Sequence, residues 1–150
     1  MYFLDDDAIV KQDGRHERRV FLMQLLFART FTKEDEQYLD EELISASDME
    51  LLQKIQKATP EIDAEIIKHA PERPLTEINK VDLAIMRLVI YESQSEKTPK
   101  KVLVDEAVEL AKEFGSETSA KFVNGVLGKI LFKEEKEKEI NTTEIKERRK

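Results

Sequence analysis

The chain has 150 residues, no cysteine, 38% charged residues and a formal net charge of −7. That length suits one domain burying about two thirds of its unfolded surface, and the missing cysteine excludes a disulfide framework, a thiolate metal site and a thiol nucleophile. The acidic balance argues against broad, non-specific nucleic-acid affinity, but leaves room for a local basic patch and offers acidic surface to a basic protein partner.

Residues 1–13 carry Asp5, Asp6 and Asp7 without helical periodicity and read as a flexible acidic leader. They match neither a secretory signal nor a transit peptide, and no stretch approaches the about 18 apolar residues of a membrane span. A soluble, cytoplasmic protein without membrane contact is expected.

The first helix is expected from Arg15 to about Phe31, RHERRVFLMQLLFARTF, apolar nearly all round after its first turn and so central to its bundle. Its start holds Arg15, His16, Arg18 and Arg19. Cations there oppose the helix macrodipole, so local stability does not ask for them. A solvated helix start and a phosphate contact both fit these residues.

Lys33 to Ser45 reads as a second helix with Tyr38, Leu39, Leu43 and Ile44 inward, and Ser47 as the cap of a third through Leu51, Leu52 and Ile55. Thr59 would cap a further helix with Pro60 at its first position, presenting Ile62, Ile66 and Ile67. The two prolines of His69 to Pro74 suggest a sub-domain boundary.

Asn79 is the expected cap of a helix through about Ser93, with Val81, Ala84, Ile85 and Leu88 as its stripe and Glu92 on the same face. A carboxylate on an apolar face needs partners; the reading taken is a buried, hydrogen-bonded Glu92 without a catalytic role. Thr98 and Pro99 start another helix, KKVLVDEAVELAKEF, that buries Val104, Ala107, Val108 and Ala111, with Gly115 as its left-handed stop. Ser116 then opens the last helix.

In that last helix Val123, Val126, Leu127, Ile130 and Leu131 make the core stripe. The opposite side carries Thr118, Lys121, Gly125 and Lys129, with Gly128 near it and Phe122 at its edge. Two glycines inside a helix cost about 1 kcal/mol each against alanine. They suggest close approach to the backbone, and the lysines and Phe122 suggest a partner that is anionic and can be stacked upon, such as RNA. Residues 133–150 are mixed in charge with few apolar residues and read as a frayed extension and a charged, disordered tail.

No strand pattern survives this pass, so the expectation is an all-α bundle of six to seven helices. It would span residues 14–132, in two packed sub-domains of about 14–70 and 75–132.

Three stretches together, RHERRVFLMQLLF, VDLAIMRLVIYE and PKKVLVDEAVELAKEFGSETSAKFVNGVLGKI, resemble the NusB family of bacterial transcription antitermination factors. The resemblance implies an RNA-binding, non-catalytic protein without cofactor or metal. Its ligand would be boxA-like single-stranded RNA of ribosomal RNA leaders, bound together with a NusE-type small-subunit ribosomal protein in an antitermination complex on RNA polymerase. It places the arginine-rich motif on Arg15, His16, Arg18 and Arg19, an RNA-lining position on Gln24, the RNA-facing part of the last helix on Lys121 and Phe122 beside Thr118, and the partner surface on Asp82. Lys129 joins these as a phosphate contact on the face given by the helical wheel.

Other classes are a helical protein-interaction module with no RNA role, and a stand-alone relative of the N-terminal domain of ribosomal RNA cytosine methyltransferases. An enzyme is not expected, because His16 and His69 sit in different halves and no glycine-rich phosphate loop occurs. A metal site from Asp13, His16 and Glu17 is set aside. Monomer and homodimer both remain open.

Overall fold

The computed structural model describes residues 6–31, 44–95 and 98–133, with side chains for all of these except 6–13 and 95. Among the described residues the protein is all helical: α1 (Asp6–Arg29), α2 (Ala46–His69), a 3₁₀ turn (Leu75–Glu77), α3 (Lys80–Ser95), α4 (Lys100–Phe114) and α5 (Ser119–Leu131). Five α-helices thus stand where six to seven were expected.

Part of the difference lies in α2, which runs unbroken through Pro60. An interior proline costs a helix about 3 kcal/mol. Against that cost stand Leu52, Ile55, Ile62 and Ile66, all buried along one stripe in which Thr59 occupies the intervening position. Breaking the helix at Thr59 would break that stripe, so tertiary burial overrides the local signal. The Thr59 hydroxyl donates to the Ile55 carbonyl, 2.8 Å, instead of capping. The true cap is Ser45, whose hydroxyl accepts from the Asp48 amide at 3.1 Å, two residues before the expected Ser47. The expected helix from Lys33 lies almost wholly outside the described residues; its Ile44 is buried.

Helix α1 begins at Asp6, inside the stretch 1–13 that by sequence reads as a flexible leader without helical periodicity. Acidic residues at a helix start are favoured by the macrodipole, which the periodicity argument ignored. Residues 1–5 and 134–150 lie outside the described part.

The central helix is α3, not α1. It packs against α1, α2, α4 and α5, and Leu83, Ala84, Ile85, Met86, Leu88, Val89 and Ile90 are all buried. Helix α1 instead keeps Phe21 and Gln24 at the surface while burying Leu22, Met23, Leu25 and Leu26. One apolar core extends from Leu22 to Leu131. Arg87 of α3 donates to both carboxylate oxygens of Asp63 of α2 at 2.8 Å, a half-buried bidentate pair that orients the two helices.

Asn79 caps α3 as expected, its side-chain oxygen accepting from the Val81 amide at 2.8 Å. Gly115 ends α4, though not as a left-handed stop: its φ is −92° and its ψ −166°. Glycine is needed there for space, since a Cβ would meet the Ser119 hydroxyl oxygen at 2.5 Å and the Ala111 carbonyl at 2.7 Å. The Ser119 hydroxyl accepts from the Ser116 amide at 2.8 Å, which locks the α4–α5 turn and fixes the start of α5.

Candidate nucleic-acid interface

Two clefts that share no lining residue gather most of the candidates, Arg15, Arg18 and Arg19 in one and Thr118, Lys121, Phe122 and Lys129 in the other; His16, Gln24 and Asp82 line neither. The first, about 550 Å³, lies where α1 meets α2, α3 and the start of α4, and includes Arg15, Arg18, Arg19, Tyr91, Glu92 and Val102. The second, about 500 Å³, lies between α5 and the turn after α2.

Three basic residues of α1, Arg15, Arg18 and Arg19, line the first cleft and have separate fates. Arg15 and Arg18 are exposed. Arg18 reaches Asp48 at 3.4 Å, a surface pair of little energetic weight that leaves the guanidinium available. Arg19 is only 8% exposed and donates through Nε to both oxygens of Glu92, at 3.2 and 3.1 Å. Its Nη1 also approaches Glu106, 3.7 Å away. Where a phosphate contact was expected of Arg19, the structure turns its charge inward, because Glu92 lies on the apolar face of α3 and needs a cation.

His16 faces α4. Nδ1 lies 3.2 Å from a Glu106 oxygen and Nε2 3.1 Å from a Glu113 oxygen. The hydrogen bond to Glu106 is the main cause that raises the imidazole pKa above its ordinary 6.5; burial opposes it and Glu113 reinforces it. Protonated, the ring donates from both nitrogens and joins α1 to α4, an inward role where an RNA contact was expected. His16, Glu106 and Glu109 also offer ligand atoms within 4.8 Å of one another. The raised proton affinity of the imidazole works against a cation there. Gln24 is exposed farther along α1.

The second cleft contains the face of α5 selected by the helical wheel: Thr118, Lys121, Phe122, Gly125 and Lys129, together with Val126. Lys121 and Lys129 are exposed and Phe122 half-buried. A Cβ at Gly125 or Gly128 would meet nothing within 4 Å, so no neighbouring part of the described fold requires these glycines. The opposite wall is His69, Ala70, Pro71, Glu72 and Arg73. Arg73 places its guanidinium 4.7 Å from the centre of the Phe122 ring. Sequence reasoning missed it, because a cation in a proline-bounded turn carries no periodic signal linking it to α5.

Asp82 also departs from expectation. It is 2% exposed, with Oδ1 lacking a hydrogen-bond partner, so its carboxylate is not on a surface open to a protein partner. Burial pushes its pKa up from 3.8, opposed by a hydrogen bond from Ser119 and by the charge of Arg73. The helical pattern put Asp82 in the first turn of α3 but could not show that α5 and the turn after α2 cover it.

Known proteins resemble this chain both in sequence and in fold. The family model described as "NusB family" matches residues 16–132. The chain is 38% identical over 139 residues to the transcription antitermination protein NusB of Chloroflexus aggregans, covering 85% of this chain and 93% of that protein. It is 36% identical to the protein of the same name from Vibrio parahaemolyticus, covering 81% and 94% of the two chains. A solved structure of T. maritima NusB superposes with a TM-score of 0.66 at 31% identity, covering 78% of this chain and 89% of the other. The family match runs from within α1 to just past the end of α5, and with the identity to these relatives it shows that this chain belongs to the NusB family.

Proposed function

We propose that this protein is a transcription antitermination factor that acts by binding, without catalysis. Its ligand is boxA-like single-stranded RNA of ribosomal RNA leaders, held jointly with a NusE-type small-subunit ribosomal protein as part of an antitermination complex on RNA polymerase. Family membership and the names of the relatives support the antitermination role. The observation that carries the RNA reading is the second cleft, where Lys121 and Lys129 flank a half-buried Phe122 above open helix backbone at Gly125.

Lysines hold phosphates, an aromatic ring stacks an unpaired base for about 1–3 kcal/mol, and glycine lets the strand approach closely. Arg15 and Arg18 supply a second, separate cationic point. With so few cations and a net charge of −7 the free protein binds weakly. A basic partner extends the contact, attracted by the acidic surface.

The test is fluorescence anisotropy of a labelled boxA-like RNA, titrated with the protein alone and with its NusE-type partner at two salt concentrations. Partner-strengthened, sequence-selective binding that is lost in Lys121→Glu/Phe122→Ala is the expected result. A folded protein that binds the partner but no RNA under either condition would leave a protein-interaction module instead.

A further inference from the structure

Arg73 lies in the turn between α2 and the 3₁₀ turn, bracketed by Pro71 and Pro74, with its amide bonded to the Ala70 carbonyl at 3.2 Å. Two proline φ angles and that bond stiffen the backbone, so the exposed side chain is the part free to move. In the structure its guanidinium covers a face of Phe122 at 4.7 Å, within the cleft that also holds Lys121, Lys129 and Gly125. Resting on the RNA reading above, we propose that Arg73 is a displaceable cap on Phe122: it covers the ring in the free protein, yields that face to an unpaired base, and then holds the far side or the adjoining phosphate of the same nucleotide.

Three observations carry this. A base stacked on a half-buried ring gains at least as much as a cation lying over it, so the exchange runs toward the base. The planar guanidinium stacks on bases and pairs with phosphate equally well, so Arg73 finds a new partner beside the one it leaves. Arg73 is exposed on its turn while Phe122 is half-buried beneath it, so the guanidinium can leave the ring face without disturbing the core. The cap also masks an otherwise open aromatic face when no RNA is present.

The experiment is the same anisotropy titration with the full chain as wild type, Arg73→Ala, Arg73→Lys and Phe122→Ala over a series of salt concentrations, with circular dichroism confirming the fold of each. Arg73→Ala should weaken binding about tenfold and lower the slope of log K against log salt by about 0.7, the loss of one phosphate contact on a single strand. Arg73→Lys should keep the slope and still bind more weakly, having lost the plane. Unchanged affinity and slope in Arg73→Ala, with Phe122→Ala impaired, would make Arg73 a bystander and overturn the proposal. Tighter binding with an unchanged slope would make it an obstruction only, and would overturn it as well. If wild type binds no RNA at all, the RNA reading itself falls and the cap with it.

Discussion

Arg19 and Glu92 form a buried ion pair 3.1 Å apart that joins the middle of α1 to the last turn of α3. Both are less than one tenth exposed. Removing one partner takes the closest opposite charge away from a buried one, so Arg19→Ala or Glu92→Ala should each cost about 3 kcal/mol. Urea denaturation of the two single variants and the double variant measures this, and the double variant should cost clearly less than the sum of the singles. Additive losses would show that the pair is not coupled.

His16 makes stability depend on pH. Its pKa is raised in the folded protein, chiefly by the hydrogen bond to Glu106. The stabilisation is therefore complete below the unfolded value of about 6.5 and is lost as pH rises through the higher folded value. Wild type should melt at progressively lower temperature across that rise relative to His16→Asn, which lacks the titration. Parallel Tm-against-pH curves for the two proteins would refute it.

Asp82 behaves in the same direction for a different reason. Burial raises its carboxyl pKa, so the folded state prefers the protonated form and loses stability as pH climbs from 3.8 through the folded value. Asp82→Asn mimics the neutral form. At neutral pH it should be at least as stable as wild type, with the advantage fading toward pH 4. A marked loss of stability at pH 7 would show that the charged form is what the fold requires.

The glycines separate into two kinds. Gly115→Ala drives a methyl group to 2.5 Å from the Ser119 hydroxyl and should destabilise by about 1–3 kcal/mol. Gly125→Ala and Gly128→Ala meet open space inside a helix and should stabilise by about 1 kcal/mol each. If RNA approaches the backbone at Gly125, that variant melts higher yet binds RNA more weakly. Thermal melts paired with the anisotropy titration decide this, and unimpaired binding would remove Gly125 from the interface.

Local pattern was enough for much of the molecule. Of the expected stripe Val123, Val126, Leu127, Ile130 and Leu131, all are buried except Ile130, which is partly exposed, and the opposite face of α5 does gather Thr118, Lys121, Phe122 and Lys129 on one cleft. Asn79 caps α3 as its position suggests. Such features depend on residues three or four apart on one helix, and that spacing is written in the chain itself.

Where elements meet, the same reasoning ran out. Periodicity states which face of a helix turns inward, but not which neighbour covers a polar residue on or beside that face. Hence Arg19 resembled a phosphate ligand until Glu92, 73 residues away, proved to be its partner, and Asp82 resembled a surface acid until α5 and the turn after α2 proved to cover it. Pro60 signalled a helix start, yet the shared burial of Ile55 and Ile62 carries α2 through it. Arg73 had no signal at all, because its meeting with Phe122 depends on two elements brought together only by the core. By itself, then, the sequence determined the helices, their apolar faces and the cationic, aromatic side of α5, all set by short-range geometry. The tertiary structure alone decided which charges are buried in pairs and which stand open to a ligand, because that choice depends on contacts between residues far apart in the chain.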